Sequence, residues 1–269
     1  MQLTTQPANN ATTATLLALH KRGLESFDVP QLIWAHGWGV DHRTLLPIAQ
    51  SFDASTSQIL FDFPGFGQAP LPPKTWNTQD YADLVIEYLQ TLPQKKCQAK
   101  RIWVAHSFGA RVGLRIAARE PDLLDGLFLI AGAGLQRRRT PVETIVLKSK
   151  VYTYKALKPL IHRGLVPEGL KQRFGSTDYR AAGPMRGVLL RVIQEDLTQI
   201  AQKVKCPVHL LYGAQDQETP PEMGRRFAEL IPNAKLTVLE HFDHANILTE
   251  GRAQVSYLLQ QFLQSINKK

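Results

Sequence analysis

The chain has 269 residues, 43% of them hydrophobic and 20% charged, with two cysteines and a formal net charge of +9. That length supports one large core with room for a small insertion, and the composition belongs to an ordinary globular protein, not a disordered or fibrous one. No apolar run approaches the ~18–20 residues of a membrane span, residues 1–15 lack the basic-then-apolar order of a secretory leader, and two cysteines suit a reducing cytoplasm better than a disulfide framework, so a cytoplasmic protein with no transmembrane segment is expected.

Residues 1–14 read as frayed and residues 16–20 as a weak first strand. Gln31-Leu32-Ile33-Trp34-Ala35 is apolar and β-rich, the pattern of a buried strand, and it ends in His36-Gly37-Trp38-Gly39. Residues 43–52 predict one or two helical turns. Residues 57–61 predict a strand, followed by the turn-forming Asp62-Phe63-Pro64-Gly65-Phe66-Gly67. Asn77 or Thr78 opens a helix whose Tyr81, Leu84, Val85, Tyr88, Leu89 and Leu92 make one apolar stripe, suited to packing on a sheet. Residues 101–105 and 126–131 predict strands, with a helix over 111–120 between them.

Residues 135–191 carry no strand alternation and read as helices and loops. Thr140-Pro141-Val142-Glu143 is a capping-box start, and Gly183-Pro184 opens a helix carrying Val188, Leu189, Val192 and Ile193. Strand rhythm resumes over 208–212. Thr219-Pro220-Pro221-Glu222 reads as a second capping box, opening a helix through Ile231. Residues 235–239 predict the last strand, and a helix with Val255, Leu258, Leu259, Phe262 and Ile266 closes the chain. Strands alternating with helices predict an α/β fold, a mostly parallel sheet covered by helices on both faces. The core is expected over residues 1–134 and 192–269, with residues 135–191 a helical cap inserted after the sixth strand.

Ser107 sits between a strand and a helix, in Ala105-His106-Ser107-Phe108-Gly109. Small residues two places either side let such a turn close sharply and lift the hydroxyl out, the geometry of a nucleophile elbow. A serine before a helix also serves as an ordinary N-cap, so the partners decide. A nucleophilic serine needs a base, and the base needs an orienting carboxylate. In open α/β sheets these gather at the carboxyl ends of strands. Asp216 follows the strand at 208–212, and His244 follows the strand at 235–239. Asp243, adjacent to the histidine, cannot easily turn back to its ring, and residues 131–136 hold no carboxylate. The backbone N–H groups of Trp38 and Phe108 are expected to stabilise the oxyanion.

His36-Gly37-Trp38-Gly39, Asp62-Phe63-Pro64-Gly65-Phe66-Gly67, His106-Ser107-Phe108-Gly109, Gly213-Ala214-Gln215-Asp216 and Asp243-His244 together resemble the α/β-hydrolase fold superfamily over about residues 30–269. The first of these is similar to the small cytoplasmic carboxylesterases that include pimeloyl-carrier-protein methyl esterases. Phe174-Gly175-Ser176-Thr177-Asp178-Tyr179-Arg180, with Met185-Arg186 and Glu195-Asp196-Leu197, resembles a bacterial hydrolase group described as esterases or ring-cleavage C–C hydrolases. The resemblance implies a Ser-His-Asp hydrolase with a helical cap and no cofactor. The expected activity is cleavage of a small carboxylic ester or thioester through an acyl-enzyme. C–C hydrolysis of a dienoic acid and non-catalytic ligand binding on the same fold are the alternatives. The C–C hydrolases carry a Ser/Asn-containing loop where this chain has Gly37-Trp38-Gly39-Val40-Asp41-His42.

Other polar residues read as structural. His36 and His106 flank the site as hydrogen-bond partners, and Asp62 braces its own loop. No His, Cys or acidic cluster has metal-ligand spacing, and Cys97 and Cys206 are expected to be inert. Residues 135–191 hold thirteen Lys and Arg against three Asp and Glu, a net +10 that leaves the rest of the chain near −1. A solvated cap surface accounts for this; attraction of an anionic or carrier-bound substrate is the sharper reading. No nucleic-acid-binding module accompanies the charge.

Overall fold

A computed structural model of the protein describes residues 2–4, 17–20, 29–92, 99–138 and 177–267, with 142, 145, 146, 149, 152, 153 and 157 between them. The strands are β1 (Gln2–Thr4), β2 (Leu17–His20), β3 (Gln31–Ala35), β4 (Ser57–Asp62), β5 (Arg101–His106), β6 (Gly126–Ile130), β7 (Val208–Gly213) and β8 (Ala234–Leu239). They form one sheet in the order β1-β2-β4-β3-β5-β6-β7-β8. From β4 to β8 all neighbours are parallel, while β1 and β2 make an antiparallel edge.

Alternation along the strands feeds two cores. Ile33, Ala35, Ile59, Phe61, Trp103 and Ala105 point to one face, and Leu32, Trp34, Leu60, Ile102 and Val104 to the other. Helices α1 (Leu46–Ala49), α2 (Thr78–Thr91), α3 (Phe108–Arg119), α4 (Thr177–Ala181), α5 (Arg186–Gln194), α6 (Thr198–Ala201), α7 (Pro221–Leu230), α8 (Asn246–Thr249) and α9 (Arg252–Asn267) follow in chain order. The stripe on α2 packs in the first core and Val255, Leu259, Phe262 and Ile266 of α9 in the second, so both faces are covered as expected. Among the described residues, no helix is long and apolar enough to cross a membrane.

Two of these local readings change. Residues 2–4 are not frayed: they pair antiparallel with β2, an edge ladder built from backbone bonds that leaves no side-chain pattern to read. The box at Thr219 does not form: α7 begins at Pro221 with Pro220 as its cap and no side-chain cap bond, because the Thr219 hydroxyl is used elsewhere. Asn77, by contrast, closes a full capping box with Asp80. That frees Thr78, whose N–H donates to Glu195 at 2.9 Å, fastening α2 to the segment after α5.

The box at Thr140, Cys97 and most of the expected cap lie outside the described residues. Gly183-Pro184 makes one 3-10 turn, Gly183–Met185, before α5 starts at Arg186. Helix α5 runs on to Gln194, across the expected boundary at 191. Leu197 N–H donates to Gly134 O at 2.8 Å and Gln136 N–H to Asp196 at 3.2 Å, so residues 134–136 are tied to residues 196–197.

Candidate active site

Ser107 occupies the turn from β5 into α3 with φ 47° and ψ −103°, a left-handed conformation that costs a side-chain-bearing residue ~1–3 kcal/mol. The turn is held by Ser107 N–H to Ile130 O (3.0 Å) and Gly109 N–H to His36 O (3.1 Å). A Cβ at position 109 would collide with the carbonyl of Ala35, so helix α3 can lie this close to β3 only with glycine there. The Ser107 side chain does not cap α3, and among the described residues its hydroxyl makes no hydrogen bond.

Asp216 is buried at the end of β7 and divides its oxygens between two tasks. Oδ1 accepts the N–H groups of Glu218 and Thr219, both at 2.8 Å, the usual work of a turn aspartate. Oδ2 lies 2.7 Å from Nδ1 of His244, which reaches it from the loop after β8. The Thr219 hydroxyl stands 2.8 Å from the same Oδ2, 3.0 Å from Ala131 O and 3.1 Å from His244 Nδ1. Burial pushes the Asp216 carboxyl pKa up, but the His244 bond and charge, with the Thr219 donors, outweigh it and hold the group below the usual range. Burial likewise pulls the His244 imidazole down, and the Asp216 bond and charge more than reverse this, leaving it above its ordinary value. Glu218 and Asp178 push the same way.

With Nδ1–H committed to Asp216, Nε2 of His244 is left without a proton. It faces Glu218 Oε2 at 3.5 Å. Among the described residues, no hydrogen bond joins the Ser107 hydroxyl to the His244 imidazole. The two residues nonetheless share one corner, since the His106 ring, next to Ser107, lies 4.7 Å from the His244 ring. Among the described residues, neither the Trp38 N–H nor the Phe108 N–H enters a hydrogen bond. The Trp38 and Phe108 rings meet edge-on at 5.7 Å. Above Ser107 opens a cavity of about 470 Å³, walled by Trp38 and Phe108, by Leu189, Val192 and Ile193 of α5, and by the acids Asp178 and Glu218. Arg111, in the first turn of α3, also lines it, a residue the sequence reading passed over.

The flanking residues do structural work. His36 Nε2 accepts the Phe63 N–H at 3.1 Å, so Nδ1 carries the proton and donates to Gly37 O at 2.7 Å. Burial lowers its pKa to about 4. Asp62 Oδ1 accepts both His42 N–H and His42 Nδ1–H, and Oδ2 accepts Gln68 N–H at 3.3 Å, bracing its loop. Asp41, His42 and Asp62 bring one ligand-type atom each within 4.8 Å of one another. Asp41, however, is spanned by the Arg43 guanidinium, and Asp62 is filled by the bonds just named. Cys206 is a free thiol whose pKa burial raises to about 11, consistent with an unreactive role.

The alpha/beta hydrolase family matches residues 32–255. A pimeloyl-[acyl-carrier protein] methyl ester esterase of Chromobacterium violaceum is 26% identical, the match covering 82% of this chain and 89% of the relative. Lipase 3 of a Moraxella species is 24% identical over 79% of this chain and 71% of its own. Among solved structures, a putative lipase of Acinetobacter baumannii superposes with TM-score 0.73 and 19% identity, covering 99% of this chain and 92% of that one. An esterase of Exiguobacterium antarcticum gives 0.69 and 16%, covering 93% and 96%. At such identities the structures speak for the fold alone. A family match running from β3 into α9, on a sheet of this strand order, makes the chain a member of the alpha/beta hydrolase family.

Proposed function

We propose that this hydrolase is a serine esterase that cleaves a small carboxylic ester or thioester by two-step acyl transfer. Ser107 attacks the ester carbonyl while His244 Nε2 takes its proton. Asp216 holds the imidazole in the tautomer that leaves Nε2 free and stabilises the imidazolium that forms. The N–H groups of Trp38 and Phe108 receive the developing oxyanion, Phe108 with the help of the α3 dipole. His244 then protonates the leaving alcohol or thiol, and in the second half activates water to release the acid.

The observation that carries this reading is the 2.7 Å His244–Asp216 bond beside a strained, uncapped serine at the floor of a cavity. The esterases and lipase among its relatives favour ester substrates over other acyl compounds, and the methyl esterases of carrier-bound acids make a carrier-bound ester one candidate. We read residues 135–191 as a cap over that cavity, since α4 and α5 supply part of its wall. A reducing cytoplasm is the compartment that two cysteines, one of them a free thiol, fit best.

The test is labelling by a fluorophosphonate, with hydrolysis of p-nitrophenyl esters of graded chain length. Labelling should map to Ser107, and S107A should lower turnover by on the order of 10⁴-fold or more. A folded wild-type protein that takes no label and cleaves no ester is a binder, and the proposal fails.

A further inference from the structure

We propose that Arg111 is an anion-binding residue of the substrate cavity, and that the ester cleaved carries a carboxylate, a half-ester of a short dicarboxylic acid being its simplest form. The proposal deepens the esterase reading and rests on it for the word ester. Arg111 lies in the first turn of α3, the helix that Ser107 leads into. It lines the same cavity as the serine and is only 8% exposed. A buried guanidinium ordinarily has a carboxylate partner, because an unpaired buried charge is costly. Among the described residues, Arg111 has none within ion-pair distance; its hydrogen bond is one 3.5 Å contact from Nη1 to the main-chain oxygen of Glu195.

The acids whose fields reach it are committed elsewhere. The Glu195 carboxylate takes the Thr78 N–H and hydroxyl and stands 3.4 Å from Arg115. The Asp196 carboxylate takes the N–H and hydroxyl of Thr198 and the N–H of Gln136. Burial accordingly lowers the Arg111 pKa, to about 10, which leaves it fully charged at neutral pH. The cavity is therefore polarised. Its cation is at Arg111, while its acids, Asp178 and Glu218, bear on His244. A planar fork with free donors is shaped for a carboxylate, which can accept two parallel bonds from it. Because Ser107 and Arg111 line one cavity of about 470 Å³, the anion and the scissile carbonyl belong to one short molecule.

The experiment compares monomethyl with dimethyl esters of succinic, glutaric and adipic acids. Wild-type protein should favour a half-ester over its diester by at least tenfold in kcat/KM. R111M should lower half-ester kcat/KM by ~10–100-fold, chiefly through KM, and change diester turnover by less than about threefold. R111K, which keeps the charge but loses the fork, should fall between. Independently of chemistry, glutarate should raise the Tm of wild-type and S107A proteins but not of R111M. Equal effects of R111M on both ester classes, with no glutarate shift, overturn the proposal while labelling and diester cleavage leave the esterase reading standing. A glutarate shift that needs Arg111, in a protein that takes no fluorophosphonate, supports the anion site and removes the esterase reading instead.

Discussion

His106 Nε2 lies 2.9 Å from the main-chain oxygen of His244, so the residue before the serine holds the loop that carries the proposed base. Because that oxygen can only accept, Nε2 bears the proton, and burial keeps the ring neutral with a pKa of about 3. In the proposed mechanism this bond would position the His244 imidazole relative to Ser107. An error of ~1 Å there costs on the order of 10²-fold in rate. We predict that H106L lowers kcat on a p-nitrophenyl ester by ~10–100-fold with KM changed less than about threefold. H106Q, which retains an N–H donor, should recover part of the loss. A change confined to KM would contradict the positioning role.

The pH dependence of turnover follows from the groups around His244. Burial lowers its pKa, but Asp216, Glu218 and Asp178 together raise it above the ordinary value of 6.5. Only the neutral imidazole can take the serine proton. Activity should therefore rise with pH through an acid limb above 6.5. E218Q removes one of the raising charges without touching the Asp216 bond, so the limb should move to lower pH with the plateau nearly kept. D216N should instead lower the plateau by on the order of 10⁴-fold, by losing the tautomer. A kcat/KM profile of each variant on a neutral ester decides, and an E218Q limb that moves upward would refute the assignment.

What the sequence disclosed and what it hid divide along physical lines. That Ser107, Asp216 and His244 stand at strand ends was legible because those ends are marked by pattern, and an open sheet gathers its candidate functional groups there. Asp216 combines a turn bond with an imidazole bond, one oxygen serving each. Thr219 misled because its spacing to Glu222 satisfies a local rule, while its hydroxyl answers to Asp216 and Ala131 from other parts of the chain. Arg111 was hidden among the charged residues of an amphipathic helix; only packing against the Glu195 segment turns it inward. Residues 2–4 carried too little pattern for a strand that exists through its neighbour's backbone.

The strain at Ser107 makes a stability prediction. At an ordinary position glycine is less stable than alanine, by ~0.5–1 kcal/mol within a regular element. At φ 47° and ψ −103° alanine bears a Cβ penalty that glycine escapes. Both S107G and S107A should be inactive, but S107G should be the more stable by ~1 kcal/mol, the reverse of the usual order. Urea unfolding of the two proteins measures the difference. An S107A protein clearly more stable than S107G would mean that the turn is not strained in solution.

Acid should destabilise the fold before the carboxylates titrate. Burial holds His36 and His209 at about 4 and His106 at about 3, whereas in the unfolded chain each takes up a proton near 6.5. A depressed histidine contributes its full stability above the unfolded pKa and loses it as pH falls toward the folded one. The window is therefore pH 6.5 down to about 4. His244, being raised, acts oppositely, losing its contribution as pH rises through its folded value. Asp216, depressed, loses its contribution only below the ordinary carboxylate range. His209 is the cleanest probe: its Nε2 meets Thr237 at 2.9 Å and its ring packs on Phe128 and Phe262, in the core opposite the cavity. Between pH 7 and pH 5 one such histidine should remove ~2 kcal/mol. H209Q should thus be less stable than wild type at pH 7 yet lose ~2 kcal/mol less on acidification, with esterase activity at pH 7.5 unchanged. Parallel losses in the two proteins would show that His209 is protonated in the fold already at pH 5.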